Sequence, residues 1–322
     1  MPAIAYTLTL GNTDITPQSD AALVALETQA TLSIPVNVCR VTLANPPQIK
    51  AGEVLKLSLG EGDSTHPVFT GKIEHVSWSF AGAQVEAASA LRQLTIARFN
   101  LLFEKSTAGA IAKDLAQRSQ VNVSKAEDGL KFPVYALGDQ HTAYDHLQRL
   151  ATQCGFDLFA NRADQLVFQT YAPQTTHTFT YGVEVLAYDW AERPSPITGV
   201  EIYGESPASQ GQGDKAYHWL TKKEIKGTSG GKAGTVLRLA DPTARTEAIA
   251  GQIAANTLTA HQTKVQGWVQ VLGAPPVTLG DRLSLKALPI AAHNGQYKIT
   301  GVSHRLSQPH GLTTTLHWKE EP

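Results

Sequence analysis

The chain has 322 residues, enough for two or three hydrophobic cores of ordinary size. Its 42% hydrophobic and 17% charged residues describe a folded protein, and a formal net charge of −1 argues against an electrostatically driven nucleic-acid binder. No window approaches the roughly twenty apolar residues of a membrane-spanning helix. The N-terminus, MPAIAYTLTLGNTDITP, lacks a basic segment followed by an apolar one, so Sec export is not expected and synthesis in a bacterial cytoplasm is. Two cysteines, Cys39 and Cys154, are too few for a disulfide framework and read as small buried hydrophobes.

In chain order, residues 1–100 read as a β domain. Alternating or β-rich runs occur at Tyr6–Leu10, Ala30–Ile34, Val38–Leu43, Val54–Leu59, Val68–Trp78 and Gln84–Ala87. Turn residues at Gly11-Asn12, Asn45-Pro46-Pro47, Gly60–Asp63 and Ala81-Gly82 separate them, as in a sandwich or barrel. Residues 101–172 change period. Thr107 is placed to cap a helix whose stripe is Ala108, Ile111, Ala112, Leu115 and Ala116. A β-prone link over 121–134 leads to a second helix. Thr142 and Asp145 form a variant capping box there, Ala143, Leu147, Leu150, Ala151 and Cys154 form the stripe, and Gly155 is the stop. Phe156–Phe159, the turn Asn161–Asp164 and Leu166–Phe168 then make a β-hairpin.

Residues 173–322 return to β. Runs at Thr178–Tyr181 and Ile197–Tyr203 precede a Gly/Ser-rich stretch over 205–235, read as exposed loops around a strand near Tyr217–Ile225. Asp241-Pro242 resembles an N-cap followed by N1 proline, opening a third helix with Ala244, Ala248, Ile249, Gln252, Ile253 and Leu258 on one face. Strands are expected at Val265–Leu272, Arg282–Leu285, Tyr297–Val302 and Leu312–Trp318. The fold class is therefore α+β, mainly β. No repeat is evident by residue identity, but the order of domains points to two similar barrels around a small α+β module.

Motifs for chemistry fail on spacing. Gly230-Gly231-Lys232 lacks the glycine five positions before Gly231, where Lys226 stands, and has Ala233 in place of the magnesium-binding hydroxyl. None of the eleven histidines falls in a metal-ligand pattern, and His304, His310 and His317 share no fixed face. Gly204–Ala208 lacks the second glycine of a nucleophile elbow, and Pro207 would remove an oxyanion-hole N–H. Glu320-Glu321 reads as a solvated acidic pair, and the five tryptophans as core or interface anchors with no basic interleaving. Neither a catalytic group, a metal site nor a cofactor is expected, and the chain is not expected to be an enzyme.

The order of elements resembles the late control D family of phage tail proteins, itself similar to the hub part of VgrG proteins. The resemblance rests on Val68–Ile73, Ser106–Ser119, Tyr144–Ala151 with Gly155-Phe156 and Leu166–Phe168, Leu279–Asp281, and Gly295–His304 followed by Thr313–Leu316. Its marker residues are Leu147, Leu150, Gly155, Phe156, Leu166, Phe168, Gly280, Asp281, Gly295 and Tyr297. It implies two tube-like β-barrels in a structural baseplate hub of a phage tail or contractile injection system. Such a hub is a homotrimer joining a hexameric tail tube to a trimeric spike, with tape-measure and wedge proteins as further neighbours. The sequence shows no β-helical repeat, so the spike is expected to be a separate polypeptide. The alternative is a tail-mounted cell-wall or glycan hydrolase, which needs a carboxylate or metal site. Within the central helix, His146 is expected to face solvent or a neighbouring subunit and Cys154 to pack.

Overall fold

A computed structural model describes residues 4–62, 64–204, 225–231, 233–307 and 311–321. The architecture is α+β and mainly β. The first unit comprises β1 (Ile4–Leu10), β2 (Thr13–Ile15), β3 (Ala22–Thr31), β4 (Val38–Ala44), β5 (Val54–Glu61), β6 (Ser64–Ser79) and β7 (Gly82–Ala88). Period-two alternation explains its core: Leu55, Leu57 and Leu59 of β5 are buried with Cys39, Val41 and Leu43 of β4, while Lys56 and Arg40 between them are exposed.

The middle unit begins with a short helix α1 (Leu91–Leu94) that the sequence reading lacks. It continues through β8 (Leu101–Thr107), α2 (Ala108–Arg118), β9 (Val123–Ala126), β10 (Lys131–Leu137), α3 (Ala143–Cys154), β11 (Asp157–Ala160) and β12 (Leu166–Gln169). Both capping expectations hold. Thr107 Oγ1 accepts the Ala110 N–H at 3.1 Å. Thr142 and Asp145 bond reciprocally, at 3.1 Å to the Asp145 N–H and 2.8 Å from the Thr142 N–H. Gly155, at φ 69°, ends α3 in the left-handed conformation. All five residues of each expected stripe are buried.

The third segment holds β13 (Thr176–Thr180), β14 (Val185–Glu192), β15 (Ile197–Gly204), β16 (Lys226–Gly230), β17 (Thr235–Asp241), α4 (Glu247–His261), β18 (Val265–Leu272), β19 (Arg282–Lys286), β20 (Gly295–Ser307) and β21 (Gly311–Glu320). Its middle departs from expectation. Lys226–Gly230 is a strand between β15 and α4, because glycine lets strand and helix touch. A Cβ at Gly227 would lie 2.0 Å from the Ala250 carbonyl carbon. Asp241-Pro242 does not open α4. Thr246 caps it, accepting the Ile249 N–H at 3.2 Å, and Asp241 instead ends β17 with its carboxylate held by Arg149 at 2.6 Å and Gln153 at 2.5 Å from α3. The buried face of α4 runs through Ile249, Ala250, Ile253, Ala254, Thr257 and Leu258, leaving Ala248 and Gln252 exposed. The strand near Tyr217–Ile225 falls almost wholly outside the described residues. So do the serine of Gly204–Ala208, Trp219, Lys232 and His310.

Three cores result. One is built from the first β unit and is completed by Leu312 of β21, with Leu306 of β20 packed against it. A second joins Phe179, Val269, Leu283, Ile299 and Trp318 to Phe159 and Val167 of the hairpin. The third unites α1, α2, α3 and β10 with Val200, Ile202 and α4, so β15, β16, β17 and α4 pack with the middle unit.

The two β units share one sheet of 13 strands. Its path is β14-β18-β21-β20-β3-β4-β7-β6-β5-β1-β2, with β19 beside β20 and β13 beside β19, and no ring of pairings closes among the described residues. The order contains a repeat. The first unit runs β1-β5-β6-β7-β4-β3, and the second runs β13-β19-β20-β21-β18-β14, strand for strand. β-bulges fall at equivalent points, Val24 with Leu186 and Glu74 with Thr300. Gly52-Glu53-x-Leu55-x-Leu57 matches Gly280-Asp281-x-Leu283-x-Leu285, with both glycines at positive φ. Both glycine N–H groups bond to the next strand, Gly52 to Ile73 at 2.7 Å and Gly280 to Ile299 at 3.3 Å. Lys72-Ile73-x-x-Val76-Ser77 matches Lys298-Ile299-x-x-Val302-Ser303. Two differences remain among the described residues: β1 is antiparallel to β5 whereas β13 is parallel to β19, and β2 beside β1 has no counterpart beside β13.

Candidate interaction surfaces

The marker residues fall into two places. Leu147, Leu150, Leu166 and Phe168 are fully buried in the middle core, and Phe156 meets Phe168 edge-on at 5.2 Å beside Gly155. Gly280, Asp281, Gly295 and Tyr297 belong to the second β unit. Asp281 accepts from His177 Nε2 at 2.9 Å, and Tyr297 lies 4.1 Å from the Trp318 ring centre while its hydroxyl donates to the His293 carbonyl. These are packing positions in separate cores.

His146 is buried, contrary to the solvent-facing expectation. α3 turns its ring inward, where Nδ1 lies 3.2 Å from the Tyr135 hydroxyl and Nε2 lies 3.1 Å from the Gly138 carbonyl oxygen. Burial lowers its pKa, favouring the neutral ring. Cys154 packs: the Leu130 N–H reaches its Sγ at 3.4 Å, and burial pushes the thiol up to about 11, far from a reactive thiolate. Glu321 is also not a solvated acid, because it takes Arg282 at 2.6 and 3.1 Å and the Tyr171 hydroxyl at 2.7 Å. Among the described residues there is no group of three or more His, Cys, Asp or Glu side chains able to hold a metal.

The hairpin turn between β11 and β12 is where the three units meet. Asn37 of the first unit donates to the Ala160 carbonyl at 2.9 Å, and the Ala90 N–H reaches Asp164 Oδ1 at 2.6 Å. Arg162 donates to the Pro276 carbonyl of the second β unit. The cavity among them, about 30 Å³, suits a water or two and not a substrate. Beside it, His304 on β20 is 3% exposed, with its N–H on Thr28 Oγ1 and Nδ1 2.8 Å from Thr314 Oγ1. Burial holds its pKa down to about 3, so it joins the units as a neutral ring.

Burial raises the Asp164 carboxyl to about 6, from 3.8, and the Ala90 N–H offsets this only in part. A carboxyl with a raised folded pKa stabilises most below its unfolded pKa and progressively less as pH rises through 3.8 to 6. Asp164→Asn keeps the acceptor and tolerates φ of 61°. It is expected to match the parent near pH 4 and to be the more stable above pH 6, as chemical denaturation at both values checks.

The remaining surface of note is an open edge. Among the described residues, β14 past the Tyr181–Val185 bridge at its start pairs with β18 alone, and beyond Lys72 the strand β6 pairs with β7 alone. Trp78 is 57% exposed and Phe80 fully so, on and just past this open half of β6. Trp78, one of the tryptophans read as core or interface anchors, lies on this open edge. The shared Lys-Ile-x-x-Val-Ser signal, with Trp78 standing where the buried His304 stands, could have found it.

No protein-family model matches the chain, and no curated protein matches it in sequence. Solved structures do. The 43 kDa tail protein of prophage MuSo2 from Shewanella oneidensis is similar over 99% of this chain and 98% of its own, with TM-score 0.74 and 14% identity. A tail protein from Neisseria meningitidis MC58 is similar over 99% and 97%, with TM-score 0.75 and 15% identity. The E. coli protein c3393, a type VI secretion component described as resembling phage tail proteins, is similar over 98% of this chain and 77% of its own, with TM-score 0.59 and 14% identity. The chain has the fold of these phage tail proteins.

Proposed function

We propose that the chain is a structural baseplate hub, trimeric in the particle, that adapts a hexameric tail tube to a separate trimeric spike. The observation that supports this is the strand order written twice in one chain. Three copies of a chain with two like units offer six similar faces to a sixfold partner, while their true symmetry stays threefold. In this reading each β unit is the tube-like barrel of the hub. The chain divides near 100 and 172, with the insertion 197–261 serving the middle module. Affinity comes from many modest contacts made together, with no chemistry required. The fold shared with solved phage tail proteins supports a structural tail role.

The purified chain is expected to sediment as a trimer, or to become one on mixing with its spike partner, and to capture the tail tube protein. A chain that stays monomeric at micromolar concentration, alone and with both partners, would overturn the proposal.

A further inference from the structure

We propose that the outer edge of β14 in one copy of the chain adds to the open half of β6 in the next copy. The register is the one that β3 and β20 already use within a single chain. The inference rests on the trimeric reading above and supplies its contact.

The argument begins with the internal repeat. β20 pairs with β19 over its first residues and with β3 over Gly301–Ser307. Its counterpart β6 pairs with β5, the counterpart of β19, up to Lys72. Beyond Lys72, among the described residues, no strand stands where β3 stands against β20. The counterpart of β3 is β14, and past Val185, which bridges Tyr181, its outer edge has no partner among the described residues. The chain therefore carries one used and one unused copy of the same joint. A joint between unlike edges can be repeated from chain to chain, and it builds a ring where the rotation closes and a filament where it does not.

The register transfers without adjustment. Within the chain, Ser303 lies opposite Gln29, His304 opposite Thr28 and Arg305 opposite Glu27. The bulges align Ser77 with Ser303 and Ala191 with Gln29. Ser77 then faces Ala191 of the next copy, Trp78 faces Trp190, and Ser79 faces Asp189. The side-chain faces agree. His304 and Thr28 are 3% and 5% exposed inside the existing joint, whereas Trp78 is 57% exposed in the unused one.

The two open stretches lack two of the devices that block edge pairing. Edge strands are commonly blunted by lysine or proline. Ile73–Ser79 and Val185–Glu192 contain neither, and Pro194 comes only after β14 has ended. The pairing face of β14 is also held in place, since Trp190 stacks on His293 at 4.2 Å and donates to the Tyr297 hydroxyl.

The test is a disulfide across the joint. Ser77→Cys with Ala191→Cys puts two thiols on opposite strands within bridging distance, on the solvent face, while the native Cys39 and Cys154 are buried. Mild oxidation of the full chain is expected to give reducible bands at two and three times the chain mass. Ser77→Cys with Glu192→Cys, whose side chains point to opposite faces, is expected to give none. Hydrogen exchange is expected to slow over residues 187–191 in the oligomer. A trimer by sedimentation that neither cross-links nor protects β14 would overturn this joint and leave the hub reading intact. A chain that never oligomerises would overturn both.

Discussion

Leu147→Asp is expected to unfold the middle unit. Leu147 is fully buried at the centre of the α3 stripe, in the core shared by α2, α3, α4 and the strand sheets on either side. Truncation to alanine alone costs about 2–5 kcal/mol at such a site. A carboxylate adds the cost of burying a charge with no partner, and together these approach the whole stability of an ordinary domain. Circular dichroism during heating should show the loss of a helical transition, with Leu147→Ala falling between variant and parent. Parent-like melting of Leu147→Asp would refute the packing of α3. Because this core also takes in α4, the damage is expected to reach residues as distant in sequence as Leu258.

The second large effect is expected from Asp157→Ala. Lys298 is 4% exposed, and its ammonium is held by Asp157 Oδ1 at 2.6 Å and by the Tyr171 ring at 4.6 Å. The pair bolts β11 of the middle unit to β20 of the second β unit. Removing the carboxylate leaves a buried charge without its counter-ion, a loss of about 3–5 kcal/mol for a pair of this kind. Replacing both partners, Asp157→Leu with Lys298→Met, is expected to be close to neutral, because the same desolvation cost is then removed. Burial already pushes the Lys298 pKa down, with Asp157 opposing it. A depressed folded pKa means that stability is present above the unfolded value of 10.5 and is lost as pH falls through the folded one. Asp157→Ala alone should therefore recover part of its loss as pH is raised toward 10.5. Urea titrations of the three variants at neutral and alkaline pH measure both effects.

Local physics made much of this legible in the sequence. Caps and stripes act within four residues, so Thr107, Thr142 with Asp145, Gly155 and the hairpin after it could be read directly. Asp241-Pro242 misled because an aspartate before a proline is a sound N-cap signal, and only the tertiary partners Arg149 and Gln153 show where that carboxylate goes. The small residues of α4 do not announce their partner, since Ala250 and Ala254 are buried because Gly227 and its strand approach so closely. His146 was misplaced for a related reason: a polar residue in an otherwise apolar stripe is exposed unless a distant group, here Tyr135, satisfies it. The open edge was the hardest feature to see. Strand pairing is decided across long sequence separations, and the repeat that exposes it is short and interrupted by the insertion between β14 and β18.

That interruption has a consequence for how the chain is made. The strands of the first unit are contiguous between Ile4 and Ala88, so most of its core can form while most of the chain is still unsynthesised, with Leu312 joining last. Its β3 then waits with an open edge until Gly301–Ser307 appear, and the bond from the His304 N–H to Thr28 spans 276 residues. During that interval the ribosome also releases β14, the counterpart of β3, whose outer edge is open in the same way. Correct assembly therefore turns on timing as well as fit: each nascent chain must keep its own β3 for a strand made near the end.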